Sequence, residues 1–205
     1  AEKIVRLPDG FTPEQGALIE PLSVAVHAAG RGGEMTGRNA VVLGCGPIGN
    51  LVAQVAKAEG ANVLVTEVNP RRIEVARECG LEQVSDAQEE SLSDAAGRVF
   101  GAAGFDLAFE CAGVEATISA VVEVIAKGGT IVQLALYGQE PRFNLSLVPE
   151  HELNLIGSMM YKREDYLRAV ELIDSGRVKT QPLISKHFDM DHFLAAYECI
   201  DEEGD

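Results

Sequence analysis

Gly44, Gly46 and Gly49 stand at the end of the apolar run Ala40-Val41-Val42-Leu43. They head a stretch in which Ile48, Leu51, Val52, Val55 and Ala56 recur at helical spacing. The spacing G-x-G-x-x-G gives each glycine a separate mechanical role. The first turns the chain tightly, the second admits a pyrophosphate against the backbone, and the third lets a helix meet a strand. A helix that begins there presents free N–H groups and its positive dipole end to a phosphate, with no basic side chain required. Asn50, Gln54 and Lys57 fall on the face of that helix opposite its apolar stripe. Farther on, at about the twenty-residue interval such turns carry, Glu67 closes Asn62-Val63-Leu64-Val65-Thr66, which reads as the next strand. A carboxylate there accepts hydrogen bonds from an adenosine ribose and repels a ribose 2′-phosphate, favouring NAD over NADP; the plainer alternative is a solvated acid at a strand end. Arg71 and Arg72 follow within one helical turn, either as phosphate contacts or as surface charges.

The elements that must hold these residues alternate regularly. Thr12, Pro13 and Gln15 predict a capped helix that Pro21 ends or kinks, with a second helical stretch from Leu22 toward Gly30. After Glu67, Asn69 and Pro70 open a helix that Gly80 stops. A short strand around Gln83-Val84-Ser85 precedes a helical face of Leu92, Ala95, Ala96, Val99 and Phe100. The pattern then repeats, with strands at 105–110, 130–134 and 154–157 and helix faces built on Ile118, Val121, Val122 and Ile125, then Tyr166, Ala169, Val170 and Ile173. A last helix carries Phe193, Ala196, Tyr197 and Ile200, and Arg142 to Leu147 reads as an added edge strand. At the amino end, Ile4, Val5 and Leu7 support no more than a short strand. Two such halves predict an α/β, doubly wound parallel sheet of the Rossmann type. Residues 1–36 then form a connector with helices, 37–160 the dinucleotide-binding domain, and 161–205 a helical segment.

Composition narrows the function. An apolar content of 46% with 24% charge, and no apolar run near membrane-spanning length, predict a soluble globular chain with no membrane partner and no leader segment. The net charge of −15 opposes nucleic acid. Cys45, Cys79, Cys111 and Cys199 form no C-x-x-C pair, and His27, His151, His187 and His192 show no ligand spacing, so reduced thiols and a cytoplasmic setting are expected.

Several segments together resemble the zinc-dependent medium-chain dehydrogenases, in particular the sorbitol, threonine and butanediol dehydrogenase branch. They are Gly16-Ala17-Leu18-Ile19-Glu20-Pro21-Leu22, Val42-Leu43-Gly44-Cys45-Gly46-Pro47-Ile48-Gly49, Phe109-Glu110-Cys111-Ala112-Gly113, Lys127-Gly128-Gly129-Thr130 and Leu155-Ile156-Gly157-Ser158. The resemblance implies that Gly44, Gly46, Pro47, Ile48 and Gly49 hold the pyrophosphate of NAD, with Glu67 at the ribose; Arg72, from its position alone, is a further candidate phosphate contact. The resemblance places Cys111 and Ala112 along the coenzyme, and Ala135, Leu136, Ser158 and Met159 near the nicotinamide. It also implies that Glu20 lies beside a catalytic zinc, as ligand or as partner of its bound water. The family's zinc-ligating cysteine, Gly-His-Glu segment and proton relay belong to an amino-terminal catalytic domain not seen here. A coenzyme-binding half of a protein of about 350 residues is therefore expected. The implied activity is hydride transfer between NAD and an alcohol or polyol, in a homo-oligomer joined through the coenzyme domain. An S-adenosylmethionine-dependent methyltransferase-like domain and a catalytically silent nucleotide-binding module are the alternatives.

Overall fold

The computed structural model describes residues 4–203, and residues 4–7 form no strand. The elements run α1 (Pro13–Gly32), β1 (Asn39–Leu43), α2 (Pro47–Ala58), β2 (Asn62–Glu67), α3 (Pro70–Glu78), β3 (Gln83–Asp86), α4 (Leu92–Phe100), β4 (Leu107–Glu110), α5 (Glu115–Val124), β5 (Thr130–Gln133), α6 (Leu147–Glu150), β6 (Asn154–Gly157), α7 (Arg163–Asp174) and α8 (Phe193–Glu203). All six strands are parallel in the order β3-β2-β1-β4-β5-β6. The order reverses between β1 and β4, so a crevice opens past their carboxyl ends, where doubly wound sheets bind ligands.

The central strands β1, β2 and β4 carry the long buried runs because both faces of the sheet are covered there. Ala40 and Val42 turn to one face, with Val65, Phe109 and Val132, against α1, α2 and α7. Val41 and Leu43 turn to the other, with Leu64, Ala108 and Ile131, against α4 and α5. Helix starts follow their caps. Thr12 and Gln15 close a reciprocal box at 3.2 and 2.9 Å, and Asn69 Oδ1 accepts from the Arg71 and Arg72 N–H groups at 2.9 and 3.3 Å.

Three expectations are corrected. Pro21 does not end a helix: α1 runs through it, because the buried stripe Ile19, Leu22, Ala25, Ala28 and Ala29 is continuous across the proline. That burial outweighs the single backbone bond the proline removes. Asn50 and Gln54 are buried rather than solvent-facing, since residues 49–56 of α2 are buried around the helix, while Lys57 is exposed. Gln54 donates to Asn50 Oδ1 at 2.8 Å and exchanges two bonds with the Lys179 backbone, at 2.7 and 3.1 Å. Residues 142–146 form a loop, not an edge strand, and α6 follows at Leu147. The Arg142 backbone is used by α5: its N–H donates to Glu115 Oε2 at 2.8 Å and its carbonyl accepts from Ser119 Oγ at 3.2 Å. The sheet therefore ends at β6, whose Asn154, Leu155 and Gly157 are exposed.

Candidate functional site

Packing fills the space beside two of the three turn glycines and leaves the third bare. Gly44 has φ +87°, and a Cβ built there would lie 2.9 Å from the Ala112 Cβ. A Cβ on Gly49 would lie 2.0 Å from the Gly44 carbonyl oxygen and 3.3 Å from the Cys111 Cβ. At Gly46 the nearest atom is Arg72 Nη1, 3.9 Å away. Gly46 is also the N-cap of α2, with Pro47 in the first helical position, where its missing N–H forfeits nothing. The Asn50 N–H closes the first turn onto the Gly46 carbonyl at 2.9 Å, while those of Ile48 and Gly49 have no acceptor within the helix. Bare backbone thus adjoins the positive end of a helix, an arrangement that can receive an anion.

Glu67 is 6% exposed, at the end of β2. Its Oε2 accepts the Cys45 N–H at 2.7 Å; its Oε1 accepts those of Val68 at 2.7 Å and Asn69 at 3.0 Å. The carboxylate therefore ties the glycine turn to the start of α3, a structural role that its sequence position does not announce. A carboxylate has about four acceptor sites, so roughly one is left for a ligand hydroxyl. Burial and Glu67 push the Cys45 thiol up to about 12, and burial and Glu110 raise that of Cys111. Both stay protonated at neutral pH, so neither is a ready nucleophile.

The remaining predicted residues fall along the carboxyl edge of the sheet. Ala112 abuts Gly44, and Gly113, with φ +68°, brings the loop after β4 against the loop after β5. A Cβ on Gly113 would lie 2.9 Å from the Leu136 carbonyl oxygen and 3.1 Å from the Ala135 Cβ. Ser158 extends the ladder, its N–H donating to Gln133 O at 2.9 Å, and its buried Oγ has no hydrogen-bond partner. Leu136 and Met159 leave apolar side chains 79% and 59% exposed. The chain then turns through Met160 at φ +58°, uncommon for a side-chain-bearing residue. Tyr161 follows, its ring edge-on to that of Tyr166 at 5.1 Å. Desolvation, then the Glu20 carboxylate of α1, raise the Tyr161 phenol. Glu20 itself is exposed. Among the described residues there is no group of three or more His, Cys, Asp or Glu side chains able to hold a metal, so these residues do not form a zinc site by themselves.

Glu110, which the sequence places within a motif but to which it assigns no role, is fully buried at the end of β4. A signal for it exists in the sequence: a charged residue closing the apolar run Leu107-Ala108-Phe109.

A model of the zinc-binding dehydrogenase family matches residues 47–175, from the first residue of α2 past the end of α7. The chain belongs to this family. Among curated relatives, 2-dehydro-3-deoxy-L-galactonate 5-dehydrogenase of Pseudoalteromonas atlantica is 40% identical, covering 90% of this chain and 54% of that protein. D-xylulose reductase of Saccharomyces cerevisiae is 34% identical, covering 95% and 56%. Among solved structures, L-idonate 5-dehydrogenase of Escherichia coli superposes with a TM-score of 0.89 at 27% identity, over 98% of this chain and 57% of that one. The chain thus spans about half the length of the relatives it matches. These family members give no support to the methyltransferase-like and catalytically silent alternatives.

Proposed function

We propose that this chain is the coenzyme-binding half of a zinc-type dehydrogenase that moves a hydride between NAD and a secondary alcohol of a polyhydroxylated substrate. The observation that carries this reading is the bare backbone at Gly46, between two glycines whose space is filled, at the positive end of α2 and beside the reversal in strand order. The cradle fits a pyrophosphate there, with Pro47 and Ile48 opening the helix behind it. Glu67 retains acceptor capacity for a ribose hydroxyl, and its charge supports NAD over NADP, with Arg72 on the phosphate side. Cys111, Ala112, Ala135 and Leu136 form the wall toward the nicotinamide, with Ser158 and Met159 at its far end. The bound nicotinamide supplies the hydride acceptor.

The relatives' greater length supports a separate catalytic half that provides the zinc ligands and most of the substrate pocket, with Glu20 turned toward it. Within this chain, residues 1–36 connect to that half, 37–160 bind coenzyme and 161–205 complete the flank. Self-association through the exposed edge of β6 accounts for Leu155, which is 42% exposed on a strand paired on one side. No helix among the described residues is long and apolar enough to cross a membrane. The free thiols support a cytoplasmic setting.

Turnover assays test the reading. The 205-residue chain should bind NAD without oxidising alcohols, and joining it to its catalytic half should give turnover that Glu20→Ala lowers. Zinc-dependent alcohol oxidation by this chain alone would overturn the division of labour.

A further inference from the structure

We propose that Glu110 is a positioning residue that fixes the nicotinamide-side wall of the coenzyme cleft by clamping two loops onto one carboxylate. The proposal rests on the coenzyme reading above and assigns a role to a residue outside it. Glu110 is 0% exposed, and among the described residues its partners are neutral donors. Its Oε1 accepts the N–H groups of Ala112 at 3.1 Å and Gly113 at 3.0 Å, and the Thr117 hydroxyl at 2.7 Å. Its Oε2 accepts the Gly113 N–H at 3.2 Å and Gln133 Nε2 at 2.7 Å. The first set fixes the loop after β4 and the start of α5. The second crosses to β5, where Gln133 Nε2 also donates to Ala135 O at 2.9 Å and Gln133 Oε1 accepts from the Tyr137 hydroxyl at 3.1 Å. The Glu110 main-chain carbonyl adds the N–H groups of Leu134 and Ala135, at 3.0 and 3.1 Å.

This donor set explains the residue type. The Ala112 and Gly113 N–H groups and Gln133 Nε2 can only donate, while the Thr117 hydroxyl shares its one proton between Glu110 Oε1 and Val114 O, at 2.7 and 2.8 Å, so a side chain with an acceptor oxygen on each arm satisfies the set. Glutamine would place its own NH2 against another donor and leave one of them unpaired in the interior. The burial of a charge without a cation is tolerated because the hydrogen bonds are short and numerous. Both loops carry coenzyme-wall residues, Ala112 on one side and Ala135 and Leu136 on the other. The clamp also sets the approach of Gly113 to Leu136 O. The adenosine and pyrophosphate contacts, at Glu67 and Gly46, lie on β2 and α2 and make no bond to this carboxylate.

The test compares NAD with ADP-ribose, which is NAD without its nicotinamide ring, by calorimetric titration of wild-type, Glu110→Gln and Thr117→Val proteins. Thr117→Val keeps shape and removes one clamp donor, so it guards against a Glu110 variant that does not fold. Glu110→Gln should weaken NAD by roughly tenfold to a hundredfold, the value of one charge-assisted hydrogen bond, and Thr117→Val by roughly threefold to tenfold. ADP-ribose should change by less than about threefold in both. Amide exchange at Ala112 and Gly113 should accelerate in both variants without any ligand, a readout independent of coenzyme. Equal weakening of NAD and ADP-ribose, or no weakening of either, would overturn the proposal. Wild-type protein that binds neither ligand would instead overturn the coenzyme reading, and this proposal with it.

Discussion

Substituting the two helix-side glycines separately should divide stability from coenzyme binding. In Gly49→Ala the new methyl would sit 2.0 Å from the Gly44 carbonyl oxygen, with the Gly44 carbon at 3.0 Å and the Cys111 Cβ at 3.3 Å. Carbon and oxygen tolerate about 3 Å at closest, so α2 or the turn must move by about 1 Å in a close-packed interior, costing about 2–4 kcal/mol. For a chain of this size that lowers the melting temperature by about 5–15 °C. In Gly46→Ala the methyl meets nothing nearer than 3.9 Å, and the residue has φ −61°, which any L-residue adopts. Alanine is only a poorer N-cap, costing about 0.5–1 kcal/mol. Yet its methyl occupies the bare surface assigned to the pyrophosphate, so NAD should bind at least roughly tenfold more weakly. Thermal melts by circular dichroism and NAD titration read the two effects. Gly46→Ala binding NAD like the native chain would refute the pyrophosphate placement. Gly49→Ala melting at the native temperature would refute the close approach of α2 to the turn.

Glu67→Ala should lower the melting temperature as well as NAD affinity, since it strips the acceptor from three main-chain N–H groups, a loss of about 2–4 kcal/mol; equal native affinity for NAD and NADP would shift the ribose assignment to Arg71 or Arg72. At pH 8, iodoacetamide followed by mass spectrometry should modify half-exposed Cys199 well before Cys45, Cys79 and Cys111, whose thiols burial raises. The Cys45 thiolate fraction should keep growing about tenfold per pH unit toward its raised value of about 12, so labelling of the native chain at pH 8 led by Cys45 would contradict its burial. Light scattering should show a dimer that Leu155→Lys converts to monomer, and a native monomer at high concentration would remove β6 as the contact.

The parts legible in the sequence are those whose causes are local. Strands covered on both faces leave continuous apolar runs, and Asn69-Pro70 or Thr12-Pro13 mark helix starts through bonds spanning two or three residues. What the sequence pattern misplaces depends on distant partners. Gln54 is buried because Lys179, 125 positions away, supplies both a donor and an acceptor. Pro21 sits inside a helix because residues on both sides of it enter one core. Phe143 and Leu147 suggest strand alternation, yet they pack with α5 while its side chains take the Arg142 backbone. The site divides the same way: the glycine spacing and the place of Glu67 are readable, whereas the Glu110 clamp needs residues 112–117, across the loop after β4 and the start of α5, to meet Gln133 in space.

The most direct test of the central claim is calorimetric titration of the folded 205-residue chain with NAD and with NADP. One NAD bound per chain, roughly tenfold or more tighter than NADP, is the predicted result. No NAD binding at millimolar coenzyme, by a chain that still melts cooperatively, would contradict it.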